Sequence, residues 1–128
     1  MSEAVQAKPG QRLAIRDVEG TDAAVLTLLD SQLNYTSATE VKLLLKQAVS
    51  ALAEDDGKHR FVLNLGNVGV LDSSGLAVLI SLKKKVDGEG GELSICHLST
   101  MICRLFELTG LSRAFEIVET EEEALKTN

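Results

Sequence analysis

The spacing of apolar positions along the chain changes several times, and each change marks an element. In "RLAIRDVEG" apolar and polar residues alternate from Leu13 to Ile15, the period of a strand with one covered face. Gly20, Thr21 and Asp22 interrupt it with turn chemistry, and "AVLTLL", Ala24 to Leu29, reads as a second strand. So short a connection predicts an antiparallel hairpin. Ser37 followed by Glu40 has the spacing of a capping box, and behind it Val41, Leu44, Leu45, Ala48 and Leu52 share one face of a helix. "EDDGKH" ends that helix. "FVLNL", Phe61 to Leu65, is a nearly unbroken apolar run of strand length, the pattern of a strand covered on both faces and therefore central in its sheet.

Next comes "VLDSSGLAVLIS", Val70 to Ser81, where Asp72, Ser73, Ser74 and Gly75 precede an apolar helical run. Lys83, Lys84 and Lys85 suit the negative end of that helix, and "DGEGG" supplies a turn. "ELSIC", Glu92 to Cys96, is another strand, and "STMICRLFELTG" another helix with Ile102, Leu105 and Phe106 inward. Gly110 can take the left-handed conformation that stops this helix, letting Leu111 fold back on Phe106. A strand "AFEIV" and a helix capped at Thr120, with Glu123 three residues on, complete the pattern. The order β-β-α-β-α-β-α-β-α predicts an α/β fold: a mixed, mostly parallel sheet with an N-terminal antiparallel hairpin and about four helices. Period alone leaves open whether the helices cover one face of the sheet or both. Residues 1–10, which hold the only proline, Pro9, read as a flexible tail, and 1–128 as a single domain.

Composition narrows the function. A formal net charge of −6 opposes a nucleic-acid backbone, so no direct nucleic-acid partner is expected. The longest apolar stretch, Leu76 to Leu82, is far shorter than the roughly 20 residues that cross a bilayer, and "MSEAVQAKPGQR" has no hydrophobic signal core. A cytoplasmic protein without membrane insertion is expected. Aromatic residues make up 3% of the chain and tryptophan is absent, so the core must be aliphatic. Cys96 and Cys103 form neither a disulfide framework nor a metal set and read as buried free thiols; no metal or cofactor is implied.

The chemistry concentrates at Asp72, Ser73 and Ser74. Asp, Ser and Thr are preferred helix N-caps, and Asp72 is the better placed cap, leaving the serines in the first turn while Gly75 lets another backbone approach. At least one hydroxyl then stays free. A nucleophilic serine would need a base, for which only His59 and His97 are available, and no GxSxG turn is present. "GNVG" and "GEGG" lack the lysine and hydroxyl of a nucleotide loop. If Leu76, Leu79 and Ile80 face the sheet, Val78 and Leu82 lie on an offset stripe and form the apolar part of a docking surface beside the serines. A helix packed on two sides would instead bury both stripes.

Residues His59 to Leu125 closely resemble the STAS domains of bacterial anti-sigma factor antagonists. The most specific pieces are Asp72, Ser73, Ser74, Gly75 and Leu76 after an aliphatic strand, the Gly90–Gly91 turn, and "LFELTGL" from Leu105 to Leu111. The N-terminal hairpin and first helix match in pattern. This resemblance implies a non-enzymatic antagonist that binds an anti-sigma factor when unphosphorylated, freeing a sigma factor to direct transcription. It implies that the anti-sigma factor is also the serine kinase and switches the antagonist off at Ser73, with Ser74 the less favoured acceptor, and that a phosphatase reverses the mark. Asp72, Ser73, Ser74 and Gly75 would then meet the partner. So would the turn after the second strand, where Ser31 and Asn34 stand near positions at which antagonists commonly carry a glycine and an acidic residue. STAS domains also serve as non-switching subunits of lipid-transport complexes or signalling scaffolds, which need no acceptor beside Asp72.

Overall fold

A computed structural model describes residues 10–126. β1 (Leu13–Asp17) and β2 (Ala23–Leu28) form the antiparallel hairpin, with Leu13 opposite Leu28 and Asp17 opposite Ala24. β2 also pairs in parallel with β4 (Arg60–Asn64), β4 with β6 (Glu92–Cys96) and β6 with β7 (Glu116–Val118). The sheet order β1-β2-β4-β6-β7 puts "FVLNL" in the centre, where its pattern predicts it.

Both faces of this sheet are covered, which settles what period alone left open. Ala24, Leu26 and Leu28 of β2, Phe61 and Leu63 of β4, and Leu93 and Ile95 of β6 point one way. They share one core with α1 (Ala38–Asp56), α2 (Ser73–Gly88) and α3 (Thr100–Thr109). The alternate residues Val25, Val62 and Cys96 point the other way and pack under Ala124 of the short α4 (Glu121–Lys126). Strand alternation with a period of two thus explains why all six residues of β2 are buried. Phe106 of α3 meets Phe115 edge to face, with ring centroids 5.6 Å apart.

The helix ends follow the sequence in most places. Gly110 stops α3 at φ 79°, and Leu111 packs against the core that contains Phe106. Thr120 Oγ1 accepts the Glu123 N–H at 3.1 Å. α1 departs from expectation: Ser37 occupies its N-cap position but makes no capping bond. Its hydroxyl instead donates to Gln32 O (3.1 Å) and accepts from the Asn34 N–H (3.2 Å), so it is committed to the preceding turn. On the same helix Leu44 is 36% exposed and Val49 takes the buried position. Leu105 and Cys103, expected inside, are half-buried.

Two larger differences bear on function. Gln32–Leu33 forms a short strand, β3, parallel to Val70–Leu71, β5; this separate two-stranded ladder was not foreseen because two residues are too few to show a period. The docking role expected of Val78 and Leu82 is corrected: they are 3% and 1% exposed. α2 packs on α1 as well as on the sheet, so both apolar stripes of the helix are used internally.

Candidate functional site

Asp72 is the hub of the β5–α2 junction. Its backbone is extended (φ −108°, ψ −172°), as an N-cap requires, and its Oδ1 accepts the Gly75 N–H at 3.0 Å. Its second oxygen, Oδ2, accepts the backbone N–H of Tyr35 at 3.0 Å, from a loop 37 residues earlier in the chain. One carboxylate therefore fixes both the start of α2 and the loop between β3 and α1. The ladder of β3 and β5 makes this reach possible, since Leu33 pairs with Leu71 and the Asp72 N–H donates to Leu33 O at 3.3 Å.

Gly75 is buried against the same strand. A β-carbon there would stand 2.2 Å from Leu33 O and 2.6 Å from Leu71 Cδ1, so the close backbone approach expected from the sequence is real and excludes any side chain.

Ser73 is the first residue of α2 and is exposed; Ser74, next to it, is half-buried. No hydrogen bond ties either hydroxyl within the described residues. Because Asp72 caps the helix, Ser73 is left with its oxygen available at a helix amino terminus, where free backbone N–H groups favour negative charge by about 0.3–1 kcal/mol.

The turn after β2 holds the two other sequence-predicted positions. Ser31 is exposed, and its carbonyl accepts the Gly69 N–H at 2.9 Å, which holds the β4–β5 loop against it. Asn34 is half-buried and organises the loop: Oδ1 accepts from Thr36 N (3.0 Å) and Thr36 Oγ1 (2.6 Å), and Nδ2 donates to Gln32 Oε1 (2.9 Å). Its carbonyl also accepts the N–H groups of Ser37 and Ala38. The structure thus joins Asp72 and the buried Gly75 to the Leu33–Tyr35 segment, with Ser73 next to them in the chain, and holds Ser31 against the β4–β5 loop. It buries Val78 and Leu82.

Sequence reasoning missed Tyr35 and Val70, which stand on the segments that meet at Asp72. Tyr35, the only tyrosine, is 78% exposed, and Val70 is 49% exposed. The signal for Tyr35 was available: an aromatic residue alone in the polar run "SQLNYTSATE" has no helical or strand partner to pack on.

The histidines stand elsewhere in the bonding pattern. His97 follows β6 at a left-handed φ of 59°; its N–H donates to Glu119 O, and it lies against the Gly66 turn. No hydrogen bond joins it to Ser73 or Ser74 among the described residues. Among the described residues no cluster of three or more His, Cys, Asp or Glu side chains can hold a metal ion, and no helix is long and apolar enough to cross a membrane.

A mixed sheet with three helices on one face, one on the other, and an acid-capped helix that displays a serine beside a second short ladder is an α/β architecture of the STAS type. The family model described as STAS domain matches residues 16–124, and the chain belongs to that family. It is 33% identical over 95 residues to the anti-sigma-B factor antagonist of Bacillus subtilis, spanning 73% of this chain and 85% of that one. It is 27% identical over 109 residues to the anti-sigma F factor antagonist of Paenibacillus polymyxa, spanning 85% and 90%. A crystal structure of an anti-sigma factor antagonist from Mycobacterium paratuberculosis superposes with a TM-score of 0.72 at 23% identity, covering 88% of this chain and 89% of that one, a likeness of fold.

Proposed function

We propose that this chain, read over 1–128 as one STAS domain, is a cytoplasmic anti-sigma factor antagonist governed by phosphorylation at Ser73. Unphosphorylated, it binds an anti-sigma factor and so frees a sigma factor. The anti-sigma factor is also a serine kinase: Ser73 Oγ attacks the γ-phosphorus of ATP, the bond to the leaving ADP oxygen breaks, and the hydroxyl proton passes to a base on the kinase. A phosphatase restores the hydroxyl. The chain contributes the acceptor and the binding face and performs no catalysis.

The observation that carries this reading is the exposed Ser73 in the first turn of a helix already capped by Asp72. A hydroxyl needed for capping would not be free to take a phosphate. Ser74 is more enclosed, which favours Ser73 as the acceptor. The similarity to the anti-sigma-B factor antagonist of Bacillus subtilis and the anti-sigma F factor antagonist of Paenibacillus polymyxa supports the antagonist role.

A phosphoryl group adds about −1.5 to −2 charges, and a partner that covers Ser73 must desolvate them. Each 1.4 kcal/mol of penalty weakens binding about tenfold, so a few kcal/mol separates the bound and released states by orders of magnitude. The helix terminus accommodates the same charge within the domain, so the switch acts on the interface and leaves the fold in place.

The test is to incubate the purified chain with its cognate ATPase-type serine kinase and ATP, locate the phosphate by mass spectrometry, and compare Ser73→Ala and Ser73→Asp in a binding assay. One phosphate on Ser73, none on Ser73→Ala, and loss of binding in Ser73→Asp are expected. Undiminished binding by Ser73→Asp, with Ser73 unmodified in the wild type, overturns the proposal and leaves a non-switching subunit.

A further inference from the structure

With Val78 and Leu82 buried, two large apolar side chains stay exposed on the segments that meet at Asp72. Tyr35 is bound to Asp72 through its backbone, and Val70 lies on β5 two residues before Asp72. Neither belongs to the core clusters that account for the other large apolar residues of this junction, Leu33, Val68 and Leu71.

Tyr35 is also presented on a stiff support. Asp72 holds its N–H, and Asn34 ties Thr36, Ser37 and Ala38 immediately after it. An aromatic ring that is exposed while its backbone is fixed loses little conformational freedom on binding, which is the economy of an interface hot spot. Val70 is fixed as well, by its pairing with Gln32.

The identity of the occupant follows from Ser73. A kinase that transfers phosphate to this hydroxyl must bring its catalytic cleft over the first turn of α2, and it then covers whatever is bonded to Asp72. We infer that Tyr35, flanked by Val70, is the apolar anchor by which the Ser73 kinase grips this chain. The inference rests on the reading of Ser73 as that kinase's substrate. The matching kinase surface is an apolar pocket that takes the phenol ring, with polar groups around it for the Gln32–Asn34 edge. A dianion on Ser73 then falls at the rim of an apolar contact, where its desolvation is most costly.

The experiment uses the full chain and the ATPase-type kinase that modifies Ser73. Variants Tyr35→Ala, Tyr35→Phe and Val70→Thr are compared with Leu108→Ala, which removes an exposed apolar side chain from α3, 80% exposed, as a control. Tyr35→Ala is expected to weaken kinase binding about tenfold or more and to raise KM for Ser73 phosphorylation with kcat held, at unchanged melting temperature. Tyr35→Phe should retain most of the affinity, Val70→Thr should lose a smaller part, and Leu108→Ala should lose none. Wild-type affinity and KM in Tyr35→Ala, in a protein whose Ser73→Asp variant is released, overturn the anchor while the phosphoswitch stands. A wild-type chain that no such kinase of its own cell modifies overturns both.

Discussion

The α-carbon of Gly75 faces the carbonyl oxygen of Leu33 so closely that a β-carbon there would lie 2.2 Å away. Both contacting groups are backbone, so the conflict cannot be relieved by turning a side chain. Gly75→Ala must push the start of α2 away from β3, stretching the 3.3 Å bond from Asp72 N to Leu33 O. We expect a loss of about 1–3 kcal/mol in urea denaturation, the range for overpacking, together with weaker partner binding because Ser73 and Tyr35 no longer share one rigid frame. Wild-type stability in this variant would show that the junction yields more readily than its geometry suggests.

Asp72 offers two acceptor oxygens to two backbone donors, Gly75 N–H and Tyr35 N–H, each at 3.0 Å. Asparagine offers one acceptor, and its amino group would oppose whichever N–H it faces. In Asp72→Asn the cap is therefore kept at the expense of the Tyr35 loop, or the loop at the expense of the cap. A loss of about 1 kcal/mol is expected, with faster hydrogen exchange at the Tyr35 or Gly75 amide. Asp72→Ala releases both amides, and wild-type protection of both amides in either variant would contradict this division of labour.

How far the sequence was legible depended on whether a residue acts locally or across the chain. Phe61 to Leu65 could be placed in the centre of the sheet because burial on both faces leaves an unbroken apolar run. The Asp72 cap, the Gly75 approach and the Gly110 stop were legible because each uses residue-specific backbone chemistry within a few positions. The bond from Asp72 to Tyr35 spans 37 residues and rests on a two-residue ladder, and nothing in local spacing announces it. Val78 and Leu82 were misplaced for a related reason: a helix shows which residues share a stripe but not how many neighbours it packs on, and α2 has both α1 and the sheet. Ser37 had the spacing of a capping box but found stronger partners in Gln32 and Asn34.

Lys58 is buried, and its ammonium group donates to Asp17 Oδ1 (2.5 Å), Thr21 O (2.7 Å) and Val18 O (3.2 Å). All three of its donors are used, stapling the β1–β2 turn to the end of α1. Lys58→Met keeps the stem but removes the donors. Val18 O keeps bonds from Thr21 N and Thr21 Oγ1, whereas Thr21 O has no other bond among the described residues. Asp17 is half-exposed and can turn to water, so its ion pair adds little. The expected cost is about 1–3 kcal/mol, the penalty of one stranded polar group, with faster exchange confined to the hairpin turn. A neutral substitution would mean that water replaces the ammonium without loss.

Cys96 lies fully buried under α4, and its thiol is pushed up from an ordinary 9.0 to about 12, first by burial and second by the charge of Glu121. The folded chain therefore keeps a proton that the unfolded chain releases near pH 9. The stabilising effect of this difference is fully present below pH 9 and is lost as pH rises toward 12, at about 1.4 kcal/mol per unit within that window. Replacing the thiol by Cys96→Ala leaves a small cavity but removes the titration, so its urea midpoint should decline less than that of the wild type between pH 8 and pH 10.5. Iodoacetamide at pH 8 should modify the half-buried Cys103 first and reach Cys96 only as the chain unfolds. Rapid alkylation of Cys96 in the native protein would show that α4 opens from the sheet well below the global unfolding free energy.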